Sequence, residues 1–339
     1  MHGHPFAWGG PAVAGRLRTC PEDFRVIELP LAEPSGEGEH AWLLIRKRME
    51  NTATVARRLA QCAGVPLRQV SYAGLKDRHA VAEQWFSVHL AGQPDPDWSA
   101  VNSENLVLIR QARHQRKLRR GALTGNAFRI RVQNVSGDPA MLENRLQQVA
   151  AHGVPNYFGE QRFGHGASNL QTASRLFAGT AGKLTRHQRG LALSAARSYL
   201  FNGVLGQRVN DSTWNRVIPG DALQLSGSHS FFVADSVDPE LERRVRMMDV
   251  HPTGPLAGAG DPPVTGAARQ LEANCLGGQL ALQNGLAKAG LRQERRALRL
   301  PVEGLAWSWP QADCLELTFR LTAGAYATSV LRELVRKRE

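Results

Sequence analysis

The chain has 339 residues and a formal charge of +12, from 42 Lys+Arg against 30 Asp+Glu, with 42% hydrophobic residues, 33 Gly and 18 Pro. These values belong to a globular protein with its own core and many loops, and they exclude a stapled mini-protein and wholesale disorder. The charge excess is shared by both halves, 20 basic against 14 acidic residues up to position 150 and 22 against 16 beyond it; it attracts polyanions, nucleic acid ahead of an acidic membrane surface.

Alternation with period two predicts strands over Phe24 to Leu29, His40 to Ile45, Val81 to Val88, Leu106 to Arg110 and Phe128 to Val135. Between them a helix is predicted over Thr52 to Ala63, capped by Asn51 or Thr52 and stopped by Gly64; a second follows over Pro139 to His152, with Asp138 as cap and Gly153 as its end. From Val154 the texture changes. Helical patterns run over Leu170 to Phe177 and about Gln188 to Val209, short strands over Ala222 to Leu225 and Phe231 to Ala234, and a helix over Pro239 to Met248. The stretch TGPLAGAGDPPVTGAA reads as a flexible segment. Cys314 to Leu321 alternates as a strand, and Ala325 to Arg336 reads as a terminal helix. A strand-rich piece, a helical insert and a strand-rich return predict one discontinuous α+β domain with a second inserted into it.

Cys20, Cys62, Cys275 and Cys314 are scattered without a CxxC or a nearby Cys/His pair, and the eleven histidines offer no HxxxH. Neither a disulfide framework nor a structural zinc is indicated. No GxxxxGK[ST] and no GxGxxG after a strand is present, so a nucleotide cofactor has no recognisable cradle. No apolar run approaches the ~20 residues of a membrane span, and Met1 to Gly15 lacks the form of a signal peptide, so the expected address is the cytoplasm. The segment His2 to Gly10 reads as a frayed terminus, with His2 and His4 as ligands for a stray metal ion in the other reading.

Three stretches carry chemistry. RQARHQRKLRRGAL sets Arg110, Arg113, Arg116, Lys117, Arg119 and Arg120 within eleven residues, interrupted mainly by Leu118. Like charges at this density repel unless an anion faces them, which phosphate oxygens do; the plain alternative is a solvated loop. Arg46 to Arg48 and Arg336 to Arg338 read as ordinary solvated faces or fringe contacts. In SYAGLKDRHAVAEQWFSV, Asp77 stands between Lys76 and Arg78 after a Gly turn. Flanking cations favour the ionised carboxylate, fit to act as nucleophile or base; alone, GxKD more readily describes a turn Asp capping backbone N–H groups. In PNYFGEQRFG aromatics alternate with polar residues and glycines, either to stack on bases or to pin a loop to the core.

Eight ordered stretches resemble the TruD family of tRNA pseudouridine synthases: PEDF (Pro21 to Phe24), PSGEGEHAWLLI (Pro34 to Ile45), AGLKDRHAVAEQWFSV (Ala73 to Val88), RKLRRGALTGNAF (Arg116 to Phe128), VPNYFGEQRFG (Val154 to Gly164), LSAARSYLFN (Leu193 to Asn202), GDALQL (Gly220 to Leu225) and AGAYATSVLREL (Ala323 to Leu334). The resemblance implies an α+β pseudouridine-synthase catalytic domain, an antiparallel-rich mixed sheet with flanking helices, formed by residues 1-152 and 301-339 and interrupted by an inserted α/β domain over 153-300. It implies isomerisation of uridine-13 of tRNA, without cofactor or metal, by a monomer that binds no membrane. By position Asp77 takes the catalytic role, and Phe24, Asn126, Phe128 and Tyr326 the substrate contacts. Tyr326 stands where the family pattern has Phe, so its hydroxyl needs a partner. Pseudouridine synthases pair the catalytic carboxylate with a basic residue, and here the candidates are Arg18 and Lys76. Arg18 is preferred because adjacent side chains such as Lys76 and Asp77 diverge. Arg113, Arg116, Lys117 and Arg120 are the expected phosphate contacts. The competing class is a non-catalytic RNA-binding protein or RNA chaperone with a synthase-like fold. An acid kept in an RNA groove weakens binding and argues against that class.

Overall fold

In chain order the first elements are β1 (Val13–Leu17), β2 (Phe24–Pro30), β3 (His40–Arg48), α1 (Thr52–Cys62), β4 (Val70–Tyr72), β5 (Val81–His89), β6 (Leu106–His114), β7 (Leu123–Gly137) and α2 (Pro139–His152). Then come β8 (Val154–Pro155), α3 (Ser168–Phe177), α4 (Arg186–Asn210), β9 (Asp221–Leu225), β10 (Phe231–Ala234), α5 (Pro239–Arg246) and β11 (Val250–Leu256). The last are α6 (Gly266–Leu276), α7 (Leu280–Lys288), β12 (Glu294–Ala297), β13 (Arg299–Leu300), β14 (Glu303–Gln311), β15 (Cys314–Thr322), α8 (Ala327–Leu334) and β16 (Val335–Lys337). This computed structural model describes residues 3–338. It divides into a sheet unit, Ala12–Pro139, Glu303–Ala325 and Val335–Glu339, and a helical unit, Met1–Pro11, Ala140–Val302 and Tyr326–Leu334. These bounds depart from a division at 152 and 301: α2, α8 and the segment before Ala12 group with the helical unit.

The sheet unit is built on a ten-stranded mixed sheet in the order β14-β15-β7-β2-β5-β3-β6, with β4 on β5 and β1 on β7. Among the described strands of this sheet, β2 with β5 and β1 with β16 run parallel and the other pairs antiparallel. In β3, Ala41, Leu43 and Ile45 share one parity and meet Val55, Ala56, Leu59 and Ala60 of α1, together with Phe86 and Val88 of β5. Helix α1 stops at a left-handed Gly64, φ 63°, the conformation glycine adopts without steric cost. On the other parity Trp42 packs with Trp85, Ala73 and Leu118. Both faces of the central strands are therefore covered, which explains why β5 is almost continuously buried.

The helical unit contains a four-stranded sheet, β10-β9-β11-β12, and the short pair β13-β8. Helix α4 runs 25 residues from a capping box in which Thr185 and Gln188 satisfy each other's backbone N–H groups. Its buried Phe201, Leu205 and Val209 pack with Tyr157, Phe158, Trp214 and Leu298. Arg208 and Asp221 form an ion pair at 2.8 Å, with side chains 2% and 1% exposed. The assembly is α+β throughout.

Three expectations are corrected. TGPLAGAGDPPVTGAA is not one flexible segment: its first residues complete β11, and α6 begins at Gly266. Its glycines serve close approach, since a Cβ on Gly254 would lie 2.8 Å from Leu298 and one on Gly258 would lie 2.4 Å from the Arg292 backbone. The terminal helix ends at Leu334, because Val335–Lys337 pairs in parallel with Val13–Gly15; strand pairing overrides local helix preference. His2 lies outside the described residues, but the segment after it is packed rather than frayed. His4 stacks on Tyr157 at 4.9 Å, and the Ala7 and Trp8 N–H groups donate to Glu333 Oε2 at 3.0 and 3.2 Å.

Candidate functional site

The loop from Ala73 to Ala80 precedes β5 and is anchored from below by polar groups that the sheet buries. Thr52, the first residue of α1, accepts from the Lys76 N–H at 3.2 Å and donates to Gln84 Oε1 at 3.0 Å. Gln84, fully buried in β5, donates to the Gly74 carbonyl at 2.6 Å. Lys47 lies on the inward parity of β3 with no exposed surface; its Nζ donates to the carbonyls of Asp77 at 2.7 Å and Glu50 at 2.8 Å. Burial pushes the Lys47 ammonium down to about 8, against the pull of the Asp77 carboxylate.

Above this floor Arg18 Nη2 donates to Asp77 Oδ2 at 2.7 Å. The Asp77 side chain remains 41% exposed, and Oδ1 has no hydrogen-bond partner among the described residues. Arg18 takes a left-handed backbone, φ 61°, which a side-chain-bearing residue holds only when its surroundings compel it. Its guanidinium lies 4.2 Å from the Phe24 ring centroid. Phe24 meets Phe128 edge to face at 6.1 Å, and Phe128 stacks on Phe319 at 5.4 Å. Phe24 and Phe128 are 5% and 9% exposed, so they act as the base on which Arg18 rests more than as open rings. Lys76 turns away from Asp77: its Nζ lies 2.7 Å from Glu28 Oε2 and donates to Asn126 Oδ1 at 2.8 Å. Glu28 and Asn126 face each other in the β2–β7 register. Burial pushes the Glu28 carboxyl up, against the pull of Lys76.

Asp77, Arg18, Phe24, Lys76, Asn126 and Phe128 thus all belong to the sheet unit. Tyr326 belongs to the helical unit, where its hydroxyl accepts from Arg162 Nη2 at 2.7 Å; the hydroxyl that the family pattern lacks is satisfied there. Tyr157 and Phe158 are buried, so PNYFGEQRFG pins its loop to the core, the second of the two readings of that stretch. In the basic stretch, Leu118 is 1% exposed and its N–H donates to Ser87 Oγ at 3.0 Å. That anchor leaves Arg116, Lys117, Arg119 and Arg120 exposed and without ion pairs among the described residues. Arg113 is instead held by Asp95 Oδ2 at 3.0 Å and by the Gln93 carbonyl at 2.8 Å, and Arg110 by Glu33 at 2.7 Å.

Lys47 and Glu28 were missed by the sequence reading, and strand parity was the signal that could have found them. Glu28 shares the inward parity of Phe24 and Val26, and Lys47 that of Leu43 and Ile45. Treating Arg46 to Arg48 as a solvated face is corrected accordingly. Arg46 pairs with Glu83 and Arg48 with Glu22, while Lys47 points inward.

Lys47 leads to a pH prediction. Below about pH 8 the ammonium is charged and grips the loop carbonyls. Between about 8 and the ordinary lysine range the folded chain binds fewer protons here than the unfolded chain. Rising pH therefore relieves a burial cost while loosening the loop. Activity that depends on Asp77 is expected to fall as pH rises through about 8. Lys47→Met is expected to lower kcat on the order of 10-fold and to abolish that inflection. A pH–rate profile of the two proteins checks this, and a step of equal size in the Met variant would contradict it.

Among the described residues no helix is long and apolar enough to cross a membrane. The family model described as tRNA pseudouridine synthase D (TruD) matches residues 2–175 and 167–334. The chain is 53% identical over 331 residues to tRNA pseudouridine synthase D of Methylococcus capsulatus, covering 98% of this chain and 94% of that one. It is 51% identical over 338 residues to the protein of the same name from Nitrosococcus oceani, with 98% and 94% covered. A solved structure from Methanosarcina mazei, a candidate tRNA pseudouridine synthase D (TruD), superposes with a TM-score of 0.74 at 22% identity, covering 97% of this chain and 95% of that one. That likeness shows the shared fold. With the family match running almost end to end and relatives about half identical over the same span, the chain belongs to the tRNA pseudouridine synthase D (TruD) family.

Proposed function

We propose that the protein converts uridine to pseudouridine at position 13 of tRNA, with Asp77 acting on the sugar. The observation that carries this reading is the Asp77 carboxylate, one oxygen held by Arg18 and the other unpaired, in a loop flanked by cations. In the reaction the N1–C1′ bond breaks, the detached uracil turns, and a C5–C1′ bond forms; the C5 proton leaves and N1 takes one up. Nothing is oxidised or reduced, so the chemistry calls for no cofactor or metal. Asp77 either attacks C1′ or removes the 2′ proton to give a glycal, and each route uses the unpaired oxygen. Arg18 aims the carboxylate, and Lys47, Thr52 and Gln84 fix the backbone that carries it.

The target nucleotide must leave its stack before its sugar can meet Asp77. On this reading residues 1-152 and 301-339 form the catalytic domain, whose chemistry sits in the sheet unit, and residues 153-300 form the inserted domain. Phe24, Phe128, Asn126 and Lys76 shape the wall beside the carboxylate, and Tyr326 offers its ring to the RNA. Arg116, Lys117 and Arg120 bind phosphates, while Arg113 holds the strand end from which they project. The protein acts as a monomer in the cytoplasm, where tRNA is modified.

The direct test incubates the full chain with unmodified tRNA, without metal or nucleotide, and maps pseudouridine by carbodiimide-dependent reverse-transcription stops. A stop at position 13 is expected; a stop only elsewhere, or none, would reject the reading. Replacing Arg116, Lys117 and Arg120 together by Gln is expected to weaken tRNA binding at least about 10-fold near physiological salt and to reduce the log–log salt slope by about two to three. An unchanged slope would remove these residues from the interface.

A further inference from the structure

A cavity of about 610 Å³ belongs wholly to the helical unit. Its wall joins Trp8, Trp214, Arg216, Arg246 and Arg299 with a single acid, Glu242. The two indoles stand edge to face, 5.7 Å between centroids. Trp8 Nε1 is spent on the Gly153 carbonyl at 3.0 Å, whereas Trp214, only 3% exposed, has no hydrogen bond from its indole N–H among the described residues.

The charges are uncompensated. Arg299 is 2% exposed and, among the described residues, is held by neutral acceptors alone: His251 Nδ1 at 3.1 Å, the Val245 carbonyl at 2.7 Å and the Val250 carbonyl at 3.0 Å. Burial pushes His251 down to about 4, so it supplies no charge at neutral pH. Arg216 and Arg246 are exposed and make no ion pair among the described residues. Three cations around one cavity, with one carboxylate in its wall, favour an anionic occupant. The half-buried Trp8 ring beside them, backed by the buried Trp214, favours an occupant with a flat aromatic part. The volume falls within the roughly 300–1,000 Å³ of ordinary ligand sites.

We propose that this cavity binds an unpaired nucleotide, its phosphate at Arg216 and Arg246 and its base against Trp8, which Trp214 backs, within reach of the Gln148 and Asn215 amides. The inference deepens the reading of the protein as a tRNA-modifying enzyme: the nucleotide comes from the RNA itself or from the free mononucleotide pool, which share this chemistry. Such a site gives the helical unit a grip on RNA that is independent of the basic loop after β6.

The test uses the full-length chain, the double variant Arg216→Glu/Arg246→Glu and the milder Trp214→Phe. Equilibrium dialysis with radiolabelled adenosine monophosphate is expected to show uptake that weakens at least 10-fold in the double variant and a few-fold in Trp214→Phe. In parallel, KM for tRNA is expected to rise about 10-fold in the double variant. A change in KM, with or without lost mononucleotide uptake, identifies an RNA nucleotide as the occupant. Lost uptake with KM unchanged identifies a free nucleotide. Uptake and KM both indifferent to the charge reversals overturn the proposal. Absence of pseudouridine from the wild-type reaction would instead reject the assigned activity and leave the dialysis result standing.

Discussion

Asp77→Asn is expected to reduce single-turnover pseudouridine formation by a factor of about 10³ or more while tRNA affinity stays within about twofold. The amide has the shape of the carboxylate but neither its charge nor its basicity, so it can neither attack C1′ nor take the 2′ proton. Arg18 loses a charged partner at 2.7 Å, yet its stacking over Phe24 at 4.2 Å does not depend on Asp77. Removing a negative charge from the surface proposed to face RNA also cannot weaken phosphate binding by repulsion. Rapid-quench measurement of product from pre-bound tRNA separates the two effects. Undiminished turnover in the Asn variant would exclude Asp77 from the chemistry.

The largest effect on stability is expected at Arg208. Its guanidinium donates to both Asp221 oxygens, at 2.8 and 2.9 Å, and to the carbonyls of Thr213 and Arg216 at 2.8 and 3.0 Å. Asp221 Oδ2 also accepts from the Ile218 N–H at 2.9 Å. Arg208→Met would leave the carboxylate buried without its cation, which costs about 3–5 kcal/mol. With a urea dependence of roughly 2–3 kcal/mol per molar, the midpoint of the transition that reports the helical unit should drop by about 1–2.5 M. Arg208→Met combined with Asp221→Leu should recover most of that loss, since no unpaired charge remains. Equal midpoints for wild type and the single variant would show the pair to be energetically neutral. Because Arg208 also holds the Arg216 carbonyl, the single variant should in addition lose the nucleotide uptake assigned to the cavity.

Elements with a single strong period were legible in the sequence. The alternation in β2, β3 and β5 and the apolar stripe of α1 located them to within a few residues, because burial on a strand face or helix stripe leaves that pattern. β1, β16 and the two-residue β8 and β13 left almost none, as they are defined by a distant partner strand: Val13 with Val335, Val154 with Leu300. The same contrast runs through the site. Asp77 stood out as an acid between two cations after a glycine turn. Glu28 and Lys47 did not, because charged side chains read as exposed unless strand parity is followed to the end of the strand. Arg18's left-handed backbone and its seat on Phe24 arise from the tertiary fold, and no local pattern announces them.

The pairing of Val335–Lys337 with Val13–Gly15, and the insertion of β15 beside β7, bear on how the protein is made. During translation the strands around the Asp77 loop emerge early, but their sheet gains β15 and β14 only after Ala140–Val302 of the helical unit has been synthesised. β1 gains its parallel neighbour only once Val335–Lys337 has been made. A nascent chain paused before Glu303 therefore exposes the β7 edge that β15 later covers, an aggregation-prone state. Ribosome-bound chains stalled at that point should recruit holdase chaperones that the released protein no longer needs.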